Sequence, residues 1–428
     1  MRNRIHIMII MIVVALVAVT QTLIAGDAYW IAGVSGDWDN DANWNTPPTT
    51  NDSIFINGSG NYTSIWDSSS LATVFSNITV GVSASGEQVL RFTGPVYQDL
   101  ALSGDIVVGA NGLVEQNNSL TGPPSGSYAT IQVMDGGVWR ATNPDTRASS
   151  LGGNRILQVD VGGIFDIPEG IQVTSKTTDE KNIINGELTG EGTFYVSAGA
   201  TCRMAGTGVV DVAKILMPSN GLLYFYGNGP VVNSEIYPSS SGGLMLEGPG
   251  TMIFNGDVLY TNKEPTVLRG HASDERTITG NGDFLVSSAK AINILGYSYE
   301  SAGKLYLTGT GKLLMNLKGY TGTCYGSMDL GRESVISNGV LVLSMDKTVC
   351  INVTNEAGKV LMNDLSVVIQ CGSASYRAPA SMKVSDNGTI TFDNVDITTA
   401  AHKTKLTLMN IEVSDGNSGG TLKFASGS

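Results

Sequence analysis

A pair of glycines separated by one residue recurs through the middle of this chain, and it constrains the fold more than any other feature. Six copies precede short apolar runs: Gly190-Glu191-Gly192, Gly206-Thr207-Gly208, Gly227-Asn228-Gly229, Gly248-Pro249-Gly250, Gly280-Asn281-Gly282 and Gly309-Thr310-Gly311. The intervals between the second glycines are 16, 21, 21, 32 and 29 residues. A turn signal that repeats at intervals of about 20–50 residues is typical of a solenoid, in which each repeat is one coil stacked on its neighbours.

The segments between these turns have the pattern of β-strands. Apolar and polar residues alternate in runs bounded by Gly, Asn, Asp and Ser, as at 53–56 and 131–134. Alternation with a period of two places the apolar residues on one face of a strand. The chain is 42% hydrophobic and only 15% charged, which suits a packed core rather than a disordered chain. The sequence therefore predicts an all-β protein, a right-handed parallel β-helix.

The N-terminus has the composition of a targeting segment. Arg2 and Arg4 precede an apolar run at 5–25, which ends in small and polar residues. A basic start followed by an apolar stretch is typical of a secretory signal peptide, and we assign residues 1–25 to one. The alternative is an uncleaved membrane anchor, because about 20 apolar residues can span a bilayer. Either way, we expect the protein to be secreted or displayed at the cell surface.

The segment that follows is rich in tryptophan. Four of the five tryptophans of the chain lie in it: Trp30, Trp38, Trp44 and Trp66. The end of a solenoid exposes unpaired strand edges and an open core, so it needs a cap. We predict the cap at 26–70 and the solenoid at 71–428. The alternative is a glycan-binding face formed by Trp30, Trp38 and Trp44, since indole rings stack on sugar rings.

The charge balance restricts the partners. The chain has 25 Lys plus Arg against 38 Asp plus Glu, a net charge of −13. Nucleic acids and anionic membranes bind basic surfaces, so we expect neither as a partner. Contact with a membrane is expected only through the signal or anchor segment at 5–25. Extracellular glycans and other surface proteins are the partners that the composition allows.

One loop has a pattern that could bind a metal ion. Asp37, Asp39, Asp41 and Asn43 occupy alternate positions. Oxygen side chains at alternate positions of a loop can converge on Ca²⁺. Ala42 and Pro48 stand where an EF-hand loop has glycine and glutamate, respectively, so a solvated turn is the alternative. We expect no other cofactor.

Four cysteines follow the signal segment: Cys202, Cys324, Cys350 and Cys371. Export makes disulfides possible. The separation of Cys350 from Cys371 equals the interval between the second glycines of two successive pairs, Gly208 and Gly229. That spacing predicts that the two cysteines stack on neighbouring coils and form a disulfide. Two buried free thiols are the alternative.

Two stretches resemble a known family. Residues 307–322 read L-T-G-T-G-K-L-L-M-N-L-K-G-Y-T-G, and the N-terminal segment contains Gly36-Asp37-Trp38 and Asn43-Trp44-Asn45. Both are similar to the autotransporter-associated β-strand repeat and to the opening of the large secreted proteins that carry it. The resemblance implies a β-helical passenger at the cell surface or outside the cell, acting in adhesion or as a stalk.

The sequence yields no catalytic residues. β-Helix enzymes that cleave acidic polysaccharides place carboxylates together on one wall, but Asp393 and Asp396 have opposite parity in their strand and would point to opposite faces. We therefore expect a non-enzymatic exported protein that acts as a stalk, adhesin or matrix component. The alternative is a β-helix enzyme that binds or cleaves a polysaccharide.

Overall fold

The computed structural model describes residues 26–425 except for the segments 50, 68–74, 84, 94–101, 121–126, 145–149, 152–153, 177–179, 219, 239–242, 261–265, 268, 271–274, 288–290, 296–303, 345–348, 371–380, 401–410 and 414–418. The described residues form 39 β-strands and one turn of 3₁₀ helix at Asp41–Asn43. Strands pair in parallel with the equivalent strands of neighbouring coils, which makes the molecule a β-solenoid. The predicted all-β parallel β-helix is therefore confirmed.

The strands of the first half are, in chain order, β1 (Asp27–Tyr29), β2 (Gly36–Asp37), β3 (Ser53–Ile56), β4 (Tyr62–Asp67), β5 (Asn77–Val80), β6 (Gln88–Thr93), β7 (Ile106–Val108), β8 (Gly112–Gln116), β9 (Ala129–Val133), β10 (Val138–Ala141), β11 (Arg155–Val159), β12 (Ile164–Asp166), β13 (Gln172–Ser175), β14 (Asn182–Ile184), β15 (Glu187–Val196), β16 (Thr201–Ala205), β17 (Val209–Met217), β18 (Leu222–Tyr226) and β19 (Val231–Val232).

The strands of the second half are β20 (Glu235–Pro238), β21 (Gly243–Glu247), β22 (Gly250–Ile253), β23 (Val258–Tyr260), β24 (Thr266–Val267), β25 (Arg269–Gly270), β26 (Glu275–Thr279), β27 (Phe284–Ser287), β28 (Ile292–Ile294), β29 (Lys304–Leu307), β30 (Leu313–Asn316), β31 (Thr321–Cys324), β32 (Ser327–Leu330), β33 (Glu333–Ser344), β34 (Val349–Val353), β35 (Lys359–Gln370), β36 (Ser381–Val384), β37 (Thr389–Ala400), β38 (Ile411–Val413) and β39 (Thr421–Phe424).

The strands form three walls, which we number in the order in which the chain passes through them. Wall 1 begins with the 11-stranded ladder of β1, β3, β5, β7, β9, β11, β14, β16, β18, β21 and β25. It continues through β24, β28 and β31 into the second halves of β33, β35 and β37. Wall 2 contains β2, β4, β6, β8, β10 and β12, the first halves of β15 and β17, then β19 and the 7-stranded ladder of β22, β26, β29, β32, β34, β36 and β38.

Wall 3 contains β13, the second halves of β15 and β17, then β20, β23, β27 and β30, the first halves of β33, β35 and β37, and finally β39. The long strands β15, β17, β33, β35 and β37 each turn a corner and thereby belong to two walls. They join the walls without a loop between them.

The core is a stack of like side chains at constant register. On wall 1 the inward position is held by Ile54, Ile78, Ile106, Ile131 and Leu157 on successive coils, and all five are buried. Branched aliphatic side chains suit this pleated surface. Each fully buried side chain contributes about 1.5–3 kcal/mol of gross hydrophobic stabilisation.

The glycine pairs mark two different corners of the coil. Three of them lie between walls 1 and 2, at 206–208, 227–229 and 248–250, and three lie between walls 2 and 3, at 190–192, 280–282 and 309–311. Successive pairs at the same corner are one coil apart. The pair at 190–192 and the next pair at 206–208 lie at different corners, and so do the pairs at 248–250 and 280–282. These two intervals therefore differ from the length of one coil.

The two glycines of a pair are required for different reasons. Gly309 has a φ of 91°, in the region that favours glycine. A Cβ on Gly311 would lie 2.0 Å from the carbonyl oxygen of Gly282 on the preceding coil. The first glycine therefore makes the turn, and the second lets the chain approach the coil on which it stacks.

We expect Gly311→Ala to lower the melting temperature through this clash, at a cost of about 1–3 kcal/mol for an overpacked site. Gly419→Ala is the matched control, because a Cβ on Gly419 meets no atom within 4 Å and its φ is not in the left-handed region. Thermal unfolding followed by circular dichroism measures both. Equal melting temperatures for the two variants would contradict the clash.

Buried arginines connect coils at the corners. Arg155 donates from Nη1 to the Gly104 carbonyl at 2.9 Å and from Nη2 to the Leu102 carbonyl at 2.5 Å. Arg332 donates to the carbonyl groups of Gly282 and Thr308. Burial lowers the pKa of both guanidinium groups to about 10, so both stay charged at neutral pH. They supply hydrogen bonds to corner carbonyls of earlier coils.

The Trp-rich cap is also confirmed. Trp38 stacks on Trp66 with ring centroids 4.4 Å apart, and Trp44 packs edge-on against Trp30 and Trp38. These rings close the end of the core. The strands of the segment also pair in register with the next coil, β3 with β5 and β4 with β6, so the segment is continuous with the stack.

One buried carboxylate organises the start of the described chain. Asp52 accepts hydrogen bonds from the backbone N–H of Gly26 at 2.7 Å, the backbone N–H of Thr49 at 2.6 Å and the Thr49 hydroxyl at 2.9 Å. Burial raises the pKa of Asp52, but these hydrogen bonds outweigh it and hold the pKa below its ordinary value of 3.8.

We expect Asp52→Asn to destabilise the cap by about 1.5–3 kcal/mol at pH 7, the usual contribution of hydrogen bonds to a charged group. Because the pKa of Asp52 is lowered in the folded state, its contribution is fully present above about pH 4 and disappears as the pH falls through the folded pKa. The melting temperatures of wild type and variant should therefore converge in acid. A gap that stays constant between pH 7 and pH 2 would contradict this account.

The part of the chain that the structure describes contains no helix with the length and apolarity that a membrane span requires.

Candidate functional site

The outer face of wall 2 carries a ladder of alternating charges. Arg91, Glu115, Arg140 and Asp166 occupy the same outward register position on four successive coils. Arg91 Nε lies 2.5 Å from Glu115 Oε2, and Arg140 Nε lies 2.8 Å from Asp166 Oδ2. The arginine side chains are 47% and 44% exposed, so each ion pair contributes at most about 1 kcal/mol. The ladder therefore neutralises the face more than it stabilises the fold.

An apolar ladder runs beside the charges. Two positions earlier in each strand, the register places Val89, Leu113, Val138 and Ile164. The two ladders border a depression of about 250 Å³, whose lining includes Glu87, Asn111, Leu113, Val138 and Arg140. This depression combines apolar contact with hydrogen-bonding and charged groups, as ligand sites do.

A second depression, of about 290 Å³, lies further along the stack where wall 2 meets wall 3. Its lining includes three acidic residues, Glu191, Asp211 and Glu235, together with Thr189 and Asn233. All three acidic residues are exposed. Solvent therefore hydrates these carboxylates.

The third polar group on this face centres on Asp329. Asn352 Nδ2 donates to Asp329 Oδ2 at 3.0 Å, and Thr354 Oγ1 donates to Asp329 Oδ1 at 3.0 Å. Burial raises the pKa of the Asp329 carboxyl, although these two hydrogen bonds lower it in part. Asn352 Oδ1 is buried and accepts no hydrogen bond from the described residues. A carboxyl with a raised pKa beside an unpaired acceptor is typical of a functional site.

The surroundings of Asp329 limit its chemistry. Its register neighbours are Tyr306 on the coil before and Asn352 on the coil after, and neither is a carboxylate. Glycoside hydrolysis needs two carboxyl groups about 5–9.5 Å apart, one on each side of the bond. The described residues also contain no group of three or more His, Cys, Asp or Glu side chains arranged to hold a metal ion. Neither register neighbour therefore supplies Asp329 with a second carboxyl group.

The three tryptophans expected to bind glycans are buried. Trp30, Trp38 and Trp44 are 2%, 2% and 4% exposed. Trp30 Nε1 donates to the Val34 carbonyl at 2.6 Å, and Trp44 Nε1 donates to the Trp38 carbonyl at 2.9 Å. A sugar ring cannot reach an indole face that packs inside the core. These rings close the end of the core, and the structure shows none of them as the exposed aromatic face of the alternative.

The calcium candidates do not form a shared shell of side chains. Asp37, Asp39 and Asp41 are exposed, whereas Asn43 is buried and its Nδ2 donates to the Asp37 carbonyl at 2.9 Å. Asp41 and Asn43 lie in the 3₁₀ turn at Asp41–Asn43, whereas Asp37 ends β2. Calcium binding by this loop stays a prediction.

The structure describes only one of the two cysteines in the predicted Cys350–Cys371 disulfide. Cys371 lies outside the described residues, so its pairing with Cys350 stays a prediction. Cys202, Cys324 and Cys350 are buried free thiols.

Sequence reasoning missed the charge ladder and the Asp329 group. Arg91 and Glu115 are 24 residues apart, and Arg140 and Asp166 are 26 apart. These spacings are one coil each, but coil lengths vary, so the pairs can be recognised only when the register is known.

The geometry defines a class: a three-walled parallel β-solenoid with polar depressions along one outer face. Comparison with known protein families, characterised proteins and solved structures finds no match to this chain. The resemblance to the autotransporter-associated repeat therefore stays an expectation.

We expect Asp329→Asn to raise the melting temperature at pH 7, because a neutral amide avoids the cost of a half-buried carboxylate. A raised pKa in the folded state means that wild type gains stability as the pH falls through that pKa, whereas the variant gains none from this site. The difference in melting temperature between Asp329→Asn and wild type should therefore shrink as the pH falls from 7 to 4. The control is Asp211→Asn, which changes an exposed carboxylate of the same wall and should leave the melting temperature unchanged. A lower melting temperature for Asp329→Asn than for wild type would refute the raised pKa of Asp329.

Proposed function

We propose that this chain is a non-enzymatic, exported β-solenoid that acts as a stalk, adhesin or matrix component. The main support for this proposal is the arrangement of the ion pairs on the surface. Ion pairs join outward side chains of adjacent coils: Arg91 with Glu115, Arg140 with Asp166, Lys304 with Glu275, and Lys312 with Glu333. Charges that pair along the stack, rather than converge on one pocket, suit a load-bearing or presenting surface better than a catalytic one.

The chemistry of wall 2 supports the same conclusion. Asp329 has a raised pKa but no carboxylate as its register neighbour, and the carboxylates of the acidic depression are exposed to solvent. General acid–base catalysis needs a proton donor and a proton acceptor positioned on one substrate. In its register on wall 2, Asp329 has no such second group beside it.

Export is the second component of the proposal. It is supported by the basic residues Arg2 and Arg4 and the apolar run at 5–25. The net charge of −13 suits an extracellular protein that must stay soluble and avoid anionic surfaces.

A second candidate function is the binding of a polysaccharide along wall 2, and the first depression favours it. Leu113 and Val138 supply an apolar strip, and Asn111 and Arg140 supply hydrogen-bonding groups beside it. A sugar ring has the same combination of an apolar face and peripheral hydroxyls. Because the protein is acidic, the polysaccharide would be neutral or basic rather than anionic.

The test combines export, shape and activity. We expect the tagged full chain to reach the medium or cell surface with its N-terminus cleaved near residue 25, to scatter X-rays as an elongated particle, and to depolymerise no polysaccharide in a broad panel. Release of product from a polysaccharide, lost in Asp329→Asn, would replace this proposal with an enzyme. Retention of the chain inside the cell would refute export.

Two variants test the second candidate function, the binding of a polysaccharide along wall 2. Leu113→Asp changes the strip of the first depression, and Val107→Asp makes the same change at a half-buried outward position of wall 1. A glycan array signal that Leu113→Asp lowers at least tenfold and Val107→Asp leaves intact would establish binding at wall 2. Equal signals for the two variants would exclude that face.

A further inference from the structure

Two buried thiols meet where wall 1 turns into wall 2. Cys324 is the last residue of β31 on wall 1, and Cys350 is the second residue of β34 on wall 2, one coil later. Registers on both sides of the corner fix this relation, because Cys324 pairs with Leu343 and Met328 pairs with Ile351. The two cysteines therefore lie at the same corner of neighbouring coils.

Both side chains are buried at this corner. Cys324 and Cys350 are 0% exposed, and the Cys324 side chain contributes to the raised pKa of the Cys350 thiol. Cys324 Sγ donates to the Gly326 carbonyl at 3.3 Å.

A β-bulge directs Cys350 inward. Val349 and Ile351 pair with the consecutive residues Ser381 and Met382, which leaves Cys350 as the extra residue in its strand. In a regular strand, neighbouring side chains point to opposite faces, but Cys350 and Ile351 are both fully buried. Bulges re-aim a side chain, and this one turns the thiol of Cys350 towards the interior beside Cys324.

We propose that Cys324 and Cys350 form a disulfide that cross-links two neighbouring coils at this corner. The proposal rests on the proposed function in one respect, that export brings the chain to an oxidising compartment. The pair differs from the Cys350–Cys371 disulfide that sequence spacing predicts, and Cys350 can join only one partner.

The reaction is a thiol–disulfide exchange. The two thiols lose two protons and two electrons, an Sγ–Sγ bond forms, and an exchanging disulfide such as oxidised glutathione or an oxidoreductase is reduced to two thiols. The hydrogen bond to Cys324 and burial raise the pKa of the Cys350 thiol, so little thiolate exists in the finished fold.

The first experiment maps the thiols of the full chain recovered from an oxidising compartment. The protein is quenched in acid, alkylated, digested without reductant and analysed by mass spectrometry. The expected result is a cross-linked pair of peptides containing Cys324 and Cys350, two hydrogens lighter than the sum of the free peptides, with Cys202 alkylated. Free thiols at Cys324 and Cys350, or a Cys350–Cys371 cross-link, would overturn the proposal.

The second experiment does not depend on export. The full chain made in a reducing cytosol is folded in a buffer of oxidised and reduced glutathione and mapped in the same way. The Cys324–Cys350 cross-link is expected here even if the chain is not exported in the cell, so a failure of the proposed function and a failure of this inference give different results. A folded chain without the cross-link would overturn it.

Variants test the contribution of the cross-link to stability. Reduction should lower the melting temperature of the oxidised wild type, and the same drop is expected for Cys202→Ala and Cys371→Ala. Cys202 is a suitable control because it is equally buried but hydrogen-bonded by Asn182 rather than by a cysteine. Cys324→Ala and Cys350→Ala should show no drop on reduction; a drop that persists in either variant would contradict the proposed pair.

Discussion

The parallel hydrogen bonding between coils is the interaction on which the rest of this structure depends. Each coil must repeat the register of the coil before it, because the backbone groups of one strand are the partners of the next. The constant register then determines which side chains lie next to each other on neighbouring coils. Isoleucine stands above isoleucine in wall 1, and arginine stands above glutamate outside wall 2.

The same constraint explains the residues at the corners. When coils stack about 4.8 Å apart, a Cβ at a corner can overlap the carbonyl of the previous coil, as it would at Gly311. At two corners the buried side chains of Arg155 and Arg332 reach back to carbonyl groups of earlier coils. Glycine and buried arginine are thus two responses to one geometric problem, the change of direction inside a stack of fixed spacing.

Two residues of wall 2 have arrangements that coil stacking does not explain. Asp329 is held half-buried with a raised pKa, which costs stability, and Cys350 occupies a bulge that interrupts a regular strand. Neither arrangement is needed to stack one coil on another. Sites that break local rules are where function or covalent chemistry is expected.

The sequence by itself determined the class of fold and the position of the cap. Alternation of apolar residues, the glycine pairs and the cluster of tryptophans are local signals, and each reports a local physical requirement. Only the tertiary structure decided which residues face solvent and which coils are neighbours. Trp30, Trp38 and Trp44 could not be placed inside or outside from composition alone, since a ring that closes a core and a ring that binds a sugar have the same sequence signature. The pairing of Cys350 with Cys324 depends on a bulge and on a coil of variable length, and neither is visible in residue spacing. In a solenoid, the partner of a residue lies one coil away, and the length of that coil is set by its corners.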